Sequence, residues 1–382
     1  MKVFVTGIGA ITPLADNYKE TYELLLQGKS ALGMIENPER YRYQKTSQIR
    51  YPISWNKNQK KCRAEAFLEK AIIDAIKDAK LDDEIHKSET LISVGTMFSS
   101  NTDMEEKYFL KESSFSTYST GDLINTIANR LNLSGPRITI STACSSGATA
   151  IGAAYRQICN GRADIAICGG VDAFRVLAHC CMSSLRIIDP ECVKAFATDR
   201  NGTILGEGAG ILILESEKRI QKRHVYAQIS GFGCSCDAES VSLPDSDGMS
   251  RAIKKAIKGL SINGSIYINA HGTGTIANDK PELDAISKIF MNHLNDIYVS
   301  SSKGAIGHTV GAAGAIEAII AILALNHNYL PPNINVKNYE KIANINIIKE
   351  YAIEQNVEYS ISNSFGFGGN NSAIIFRRMN HG

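Results

Sequence analysis

The chain has no CxxC pair, no charged leader at its start and no excess of charge of either sign. Each absence closes off a class of function. Lys and Arg number 41 against 39 Asp and Glu, a formal net charge of +2. No global field therefore draws the protein to nucleic acid, and an acidic partner must be met by a local patch. The nine cysteines are Cys62, Cys144, Cys159, Cys168, Cys180, Cys181, Cys192, Cys234 and Cys236. Their odd number and irregular spacing support neither a disulfide framework nor a zinc site, and no metal is expected. The opening MKVFVTGIGAITPL reads as a strand and a Gly-rich turn rather than a signal peptide, so reduced thiols in a cytoplasmic protein are the expectation. The longest apolar run, Ala312 to Leu325, carries Glu317. It is short of a membrane span and predicts a buried core helix.

What remains is ordinary globular composition, 44% hydrophobic and 21% charged. A length of 382 residues suits two cores or one large pseudo-symmetric domain. Strands are predicted at the start, over Thr90–Thr96, Arg137–Thr142, Asp164–Gly170, Gly208–Glu215 and Gly264–Ala270, and late at Glu358–Ser364 and Ser372–Phe376. Helical periodicity marks Asn17–Leu26, Ala64–Ala79, Gly121–Leu131 and Gly248–Leu260, and a helix follows Cys144. Residues 34–60 read as a surface excursion and 99–120 as a loop with a short helix. HVYAQISGFGCS from His224 echoes KVFVTGIGAIT, each an alternating strand ending in Gly-x-Gly, and VSSSKGAIGHTVGAAGAIEAI echoes ITISTACSSGATAIGAA. Alternating strands and helices imply a mainly parallel α/β sheet, and the echoes imply internal duplication.

Five places carry chemistry. Cys144 stands between a strand and a helix in STACSSGA, where unpaired N–H groups and the positive helix end favour a thiolate and a developing oxyanion. His271, in NAHGTGT, and His308, in GAIGHT, sit at corresponding strand ends of the second half, the usual place for functional groups in α/β folds. Glu317 lies in an apolar helix and needs a partner, for which Lys303 is the candidate. Asp279 and Glu282 follow HGTGT; they either orient His271 or are simply solvated. NSFGFGGNN (363–371) is a Gly-rich turn without the Walker lysine, so it suggests an apolar gate built on Phe365 and Phe367 or a tight hairpin with a core Phe.

These strings, with GPRITISTACSSGATAIGAA, ADIAICGGVDA, DRNGTILGEGAGILILE, YINAHGTGTIANDKPE and SSKGAIGHTVGAAGAIEA, together resemble the β-ketoacyl-acyl carrier protein synthases of the I/II type, in the thiolase superfamily. The resemblance covers most of the chain. It implies a thiolase fold of two duplicated halves in five αβαβα layers, with residues 1–220 carrying the cysteine and 221–382 both histidines. It implies Cys144 as nucleophile, His271 and His308 as decarboxylation residues, Lys303 and Glu317 as their supporting ion pair, and backbone N–H groups of Cys144 and Phe367 as the oxyanion hole. Thr273 and Thr275 match the phosphopantetheine channel. The implied partner is an acidic acyl carrier protein, met by Lys60, Lys61 and Arg63, with Arg200 a weaker candidate. No cofactor is implied beyond the carrier's phosphopantetheine, and the assembly is a homodimer or a heterodimer with a chain-length-factor-like subunit.

The sequence departs from the family pattern by shortening between Ser100 and Gly121 and between Phe174 and Phe196, and by Phe196-Ala197-Thr198-Asp199 where an aromatic-Asp-Lys-Asp pattern is usual. These changes bear on acyl specificity rather than on the core reaction. They favour a wider or differently shaped pocket and a specialised type II fatty acid or polyketide pathway, such as aryl-polyene assembly. Housekeeping fatty-acid elongation, a non-catalytic chain-length factor and a degradative thiolase are the rivals. The intact Cys-His-His set argues against the last two.

Overall fold

The computed structural model describes residues 1–51, 62–82, 84–87, 89–98, 119–220, 223–292 and 296–379. The first strand, β1 (Val3–Ile11), is buried along its whole length, as a strand covered on both faces must be. After α1 (Tyr18–Leu26), capped by the Asn17 side chain, come α2 (Arg63–Asp78), β2 (Leu91–Gly95), α3 (Thr120–Arg130), β3 (Arg137–Ile140) and α4 (Ser146–Cys159). Then β4 (Ile165–Asp172), α5 (Val176–Ser184) and β5 (Gly208–Ser216) close the first half. The second half holds β6 (Ala227–Cys236), α6 (Ser246–Ala256), β7 (Ile266–Asn269), α7 (Ile276–Phe290), β8 (Ile297–Ser300), α8 (Ala313–His327), β9 (Tyr359–Gly366) and β10 (Asn370–Arg377).

The strand order is β8-β7-β9-β10-β6-β1-β5-β4-β2-β3, with the two-residue strand Asn346–Ile347 beside β8. Read outward from the centre, β1-β5-β4-β2-β3 and β6-β10-β9-β7-β8 are the same arrangement. In each, the first three strands pair antiparallel and the outer three parallel. Within the sheet, the two halves join where Val3–Val5 pair with Ala227–Ile229. Duplication read from sequence echoes is thus present in topology.

The Gly-x-Gly pairs do not end their strands, as the sequence suggests; they lie inside them. A Cβ on Gly7 or Gly9 would sit 2.4 or 2.0 Å from backbone carbonyls of α2, and one on Gly231 or Gly233 would meet α6 at 1.9 or 2.0 Å. Each pair seats a helix against its sheet, which no side chain would allow.

Three apolar clusters separate the layers. One lies between α2, α3 and the first half-sheet, another between α6, α7 and the second, and the largest surrounds α4 and α8 between the two. Val310–His327 is long and apolar enough, by length and composition, to cross a membrane, but 89% of it is buried in this central layer. A helix apolar on all sides belongs there. In the 34–60 excursion, Gly33–Met34 and Lys45–Thr46 form a small ribbon. Residues 52–61 and most of the 99–120 loop lie outside the described residues.

Candidate active site

Cys144 sits in a tight turn between β3 and α4. Ala143 before it has φ +51°, a strained region for a residue with a Cβ. The turn is held by serines: Ser145 Oγ donates to the Thr142 carbonyl at 2.8 Å, and Ser146 Oγ donates to the Ala143 carbonyl at 2.6 Å while accepting from Thr142 N–H at 2.9 Å. The thiol thereby sits at the head of α4, and it is buried.

His271 follows β7, and His308 follows the helical turn Lys303–Ile306 and Gly307. The backbone of His308 is clamped on both sides, its N–H donating to Ile204 at 2.7 Å and its carbonyl accepting from Gly206 at 2.9 Å. His308 Nε2 lies 3.1 Å from Cys144 Sγ. The rings of His271 and His308 meet edge to face at 5.3 Å. Lys303 Nζ is 3.4 Å from His271 Nδ1 and also bonds the His271 carbonyl and the Glu317 carboxylate. The ion pair expected for Glu317 is therefore present, and it buttresses His271.

Burial, with the Lys303 ammonium adding to it, holds both histidines well below the ordinary imidazole range, so both are neutral. Burial also pushes the Cys144 thiol up to about 12, against the pull of Lys303 and of a hydrogen bond from Phe367 N–H. The resting sulfur is a thiol, although its position at the helix head favours the anion. Glu282 and Glu317 are pushed up to about 7 by desolvation, for Glu317 despite its lysine.

The glycine loop lies across the nucleophile. Phe365 ends in the core of the second half with its ring 6.1 Å from that of His271, so it is wall rather than gate. Phe367 lines the cavity and turns its N–H toward Cys144. Gly366 passes so close that a Cβ there would lie 2.9 Å from the Thr142 carbonyl and 3.0 Å from Cys144 N. Two backbone N–H groups, of Cys144 and Phe367, can thus face one point beside the sulfur. The cavity of ≈180 Å³ holds Cys144, His271 and His308 at its base and Thr273 and Thr275 along its side; Val241, Leu243 and Ile276, which also line it, are exposed. Thr273 and Thr275 hydroxyls bond each other at 2.9 Å.

Several expectations need correction. Asp279 and Glu282 lie on α7, fully buried rather than solvated. Asp279 does not orient His271; it accepts from Phe196 N–H at 2.7 Å and Gly274 N–H at 3.1 Å. Glu282 does that work, accepting from His271 N–H at 2.7 Å and Gly272 N–H at 2.8 Å. Arg63, though 37% exposed, is paired with Glu207 and the Ile49 carbonyl, and Arg200, nearly buried, with Glu340 and the Thr275 carbonyl, so both charges are already held by internal partners. Lys60 and Lys61 lie outside the described residues.

Sequence reading missed Asp172. Its carboxylate accepts from Thr96 Oγ1 at 2.9 Å and from the N–H groups of Met97, Phe98 and Gly311 at 3.0, 2.9 and 2.7 Å. It bolts the segment after β2 to the segment behind His308. The available signal was an acidic residue closing an otherwise apolar strand, ADIAICGGVD.

Residues 1–219 match the family model for the beta-ketoacyl synthase N-terminal domain, and residues 226–337 the model for its C-terminal domain. The 3-oxoacyl-[acyl-carrier-protein] synthase 2 of Synechocystis sp. is 33% identical over 99% of this chain and 98% of its own. Among solved structures, the ishigamide ketosynthase/chain length factor superposes with a TM-score of 0.92 at 29% identity, covering 99% of both chains. The ketosynthase AntDE, solved with the type II acyl carrier protein AntF, does so at 0.87 and 25% identity, again over 99% of each. Both halves of the duplicated fold match one family's models, and the cysteine and two histidines they supply meet in one cavity: the chain belongs to the β-ketoacyl-acyl carrier protein synthases and is an acyltransferase of the condensing type.

Proposed function

We propose that the protein carries out decarboxylative Claisen condensation of an acyl group held on Cys144 with malonyl-acyl carrier protein, in a specialised type II fatty acid or polyketide pathway. The observation that carries the chemistry is the 3.1 Å approach of His308 Nε2 to Cys144 Sγ beneath the Phe367 N–H. Neutral His308 accepts the thiol proton as sulfur attacks the acyl thioester, and the proton leaves on the departing pantetheine thiol. The Cys144 and Phe367 N–H groups hold the tetrahedral oxyanion. Nδ1 of His308 has no hydrogen-bond partner among the described residues, so its tautomer is unconstrained. In the second half-reaction both histidines donate N–H to the malonyl thioester oxygen and stabilise the enolate as CO₂ departs. The carbanion attacks the acyl-Cys144 carbonyl, the Cys144 sulfur leaves and is reprotonated, and the β-ketoacyl group stays on the carrier.

The specialised reading draws on the altered 174–196 segment, because Met182, Arg186 and Ile187 from it line the cavity. The other shortened segment falls almost wholly outside the described residues. A heterodimer with a chain-length-factor-like subunit draws support from the ishigamide pair, and a carrier partner from the AntDE–AntF complex. With Arg63 and Arg200 held by internal partners, Arg186 at the cavity and Arg40 and Arg42 in the adjoining hollow replace them as the cationic approach for the carrier. Housekeeping elongation remains the alternative, favoured by the end-to-end match to the Synechocystis enzyme.

Intact mass after incubation with a panel of acyl-carrier proteins, followed by malonyl-carrier, tests this. The reading requires an acyl adduct on wild type, none on Cys144→Ala, and conversion to β-ketoacyl-carrier. Adducts from medium straight-chain donors alone point to housekeeping elongation. No adduct from any donor, with the fold intact, sinks the catalytic reading.

A further inference from the structure

Asp172 touches no reacting atom, yet both of its oxygens are fully engaged. Oδ1 accepts from Thr96 Oγ1 and Phe98 N–H, each at 2.9 Å, and Oδ2 accepts from Met97 N–H at 3.0 Å and Gly311 N–H at 2.7 Å. Three donors belong to the segment after β2. The fourth and shortest bond reaches the turn Val310–Ala312, which follows His308 and leads into α8. Val310 in that turn has φ +50°, an outlier for a β-branched residue that persists only where its surroundings enforce it. Gly311 has no slack: a Cβ there would lie 2.4 Å from Asp172 Oδ2 and 2.8 Å from Met97 N. Its carbonyl in turn would lie 2.8 Å from a Cβ on Gly147, three residues beyond Cys144.

The same turn backs the cavity. Val310 packs in a small apolar cluster with Met182, and Met97, Phe98 and Ile187 lie against that cluster; Met182 and Ile187 line the cavity itself. Upstream, the backbone of His308 is gripped by Ile204 and Gly206. Downstream, the Asp172–Gly311 bond supplies the matching anchor. We infer that Asp172 is a positioning residue for both half-reactions: it pins the left-handed turn behind His308 to the cavity wall, and so holds the 3.1 Å approach of that imidazole to Cys144. This rests on the condensing role proposed above for His308. A carboxylate suits the task because it is acceptor-only and each oxygen takes two donors. Asn at 172 would offer one oxygen and set its NH₂ group against the other pair of donors.

The test compares Asp172→Asn with Thr96→Val in the full chain. Thr96→Val deletes one of the four donors and leaves the Gly311 bond in place, so it is the control for a purely structural role. Thermal melts should show both variants folded and both less stable. Only Asp172→Asn should slow acyl loading of Cys144 and decarboxylation of malonyl-carrier, each read by intact mass, with KM for the carrier unchanged. Both steps should fall at least about tenfold, toward the roughly 10²-fold that misplacement by about 1 Å can cost. In a His308→Ala background, Asp172→Asn should slow decarboxylation less than about threefold further, because residues acting through one group are not additive. Should Asp172→Asn fail to fold, the same comparisons are made in Val310→Gly, where glycine takes the left-handed turn without strain. Losses that multiply in the His308→Ala background overturn the assignment. So does a slowing by Thr96→Val equal to that by Asp172→Asn, or decarboxylation slowed with loading untouched. Those results leave the condensing reading standing, whereas wild type that neither loads nor decarboxylates sinks both.

Discussion

Glu282 holds His271 by its backbone and not by its ring, its carboxylate taking the His271 N–H at 2.7 Å and the Gly272 N–H at 2.8 Å. Removing it strands two buried donors, each costing about 1–3 kcal/mol. Glu282→Ala should therefore lower the melting temperature and, with His271 in the second step as proposed, slow the decarboxylation of malonyl-carrier more than the loading of Cys144. Loading and decarboxylation slowed equally would show that Glu282 supports the fold alone.

Both buried glutamates make stability depend on pH in a direction opposite to that of a surface carboxylate. The folded-state values of Glu282 and Glu317 are raised from about 4.5 to about 7. Their contribution is thus complete below about 4.5 and is lost as pH rises through about 7. Urea unfolding of wild type, Glu282→Gln and Glu317→Gln at pH 5 and pH 8 should show a smaller loss in the variants. An equal loss in all three would place the pH dependence elsewhere.

Lys303 and Glu317 are both fully buried. Lys303→Met alone leaves an uncompensated carboxylate and should cost about 3–5 kcal/mol. The double variant Lys303→Met/Glu317→Leu should recover most of that stability without recovering activity, because His271 has still lost its neighbour. Denaturant midpoints and turnover, measured on the same preparations, separate the two effects.

Gly366→Ala should act on catalysis more than on folding. The added methyl meets Cys144 N and Ser145 N at 3.0 and 3.2 Å, where relief must push the loop and its Phe367 N–H away from the sulfur. Loss of one oxyanion donor costs about 10²–10³ in kcat, and a fall of at least tenfold with a nearly unchanged melting temperature is expected.

A thiol held near pKa 12 should be alkylated by iodoacetamide at a rate that climbs about tenfold per pH unit from pH 6 to 9. A plateau already reached at pH 7 would mean that the head of α4 wins over burial and the thiolate is preformed.

Much of this was legible beforehand, for reasons tied to particular residues. Cys144, His271 and His308 are polar groups where apolar strands end, and Lys303 could be matched to Glu317 because a carboxylate in an apolar helix needs a cation. The strands β4 and β5 announced themselves by unbroken apolar runs. What stayed hidden depended on contacts between distant segments. Gly7 and Gly9 look like a turn until α2 is laid on them. Glu282 and Asp279 look solvated because α7 is polar on paper, with Pro281 inside it. Arg63 looks like a docking charge until Glu207, 144 residues away, claims it.

The seam between α4 and α8 is backbone against backbone. A Cβ on Gly147 would meet the Gly311 carbonyl at 2.8 Å, and one on Gly314 would meet Ala148 N at 2.8 Å. The two halves are therefore indexed to each other with no adjustable spacer, and so is the gap between a nucleophile on one and its histidines on the other. Mutational drift has almost no foothold there: any enlargement would open that gap and extinguish turnover. New substrates must be won at the cavity wall, around Met182 and Ile187, where side chains rather than main chain set the shape.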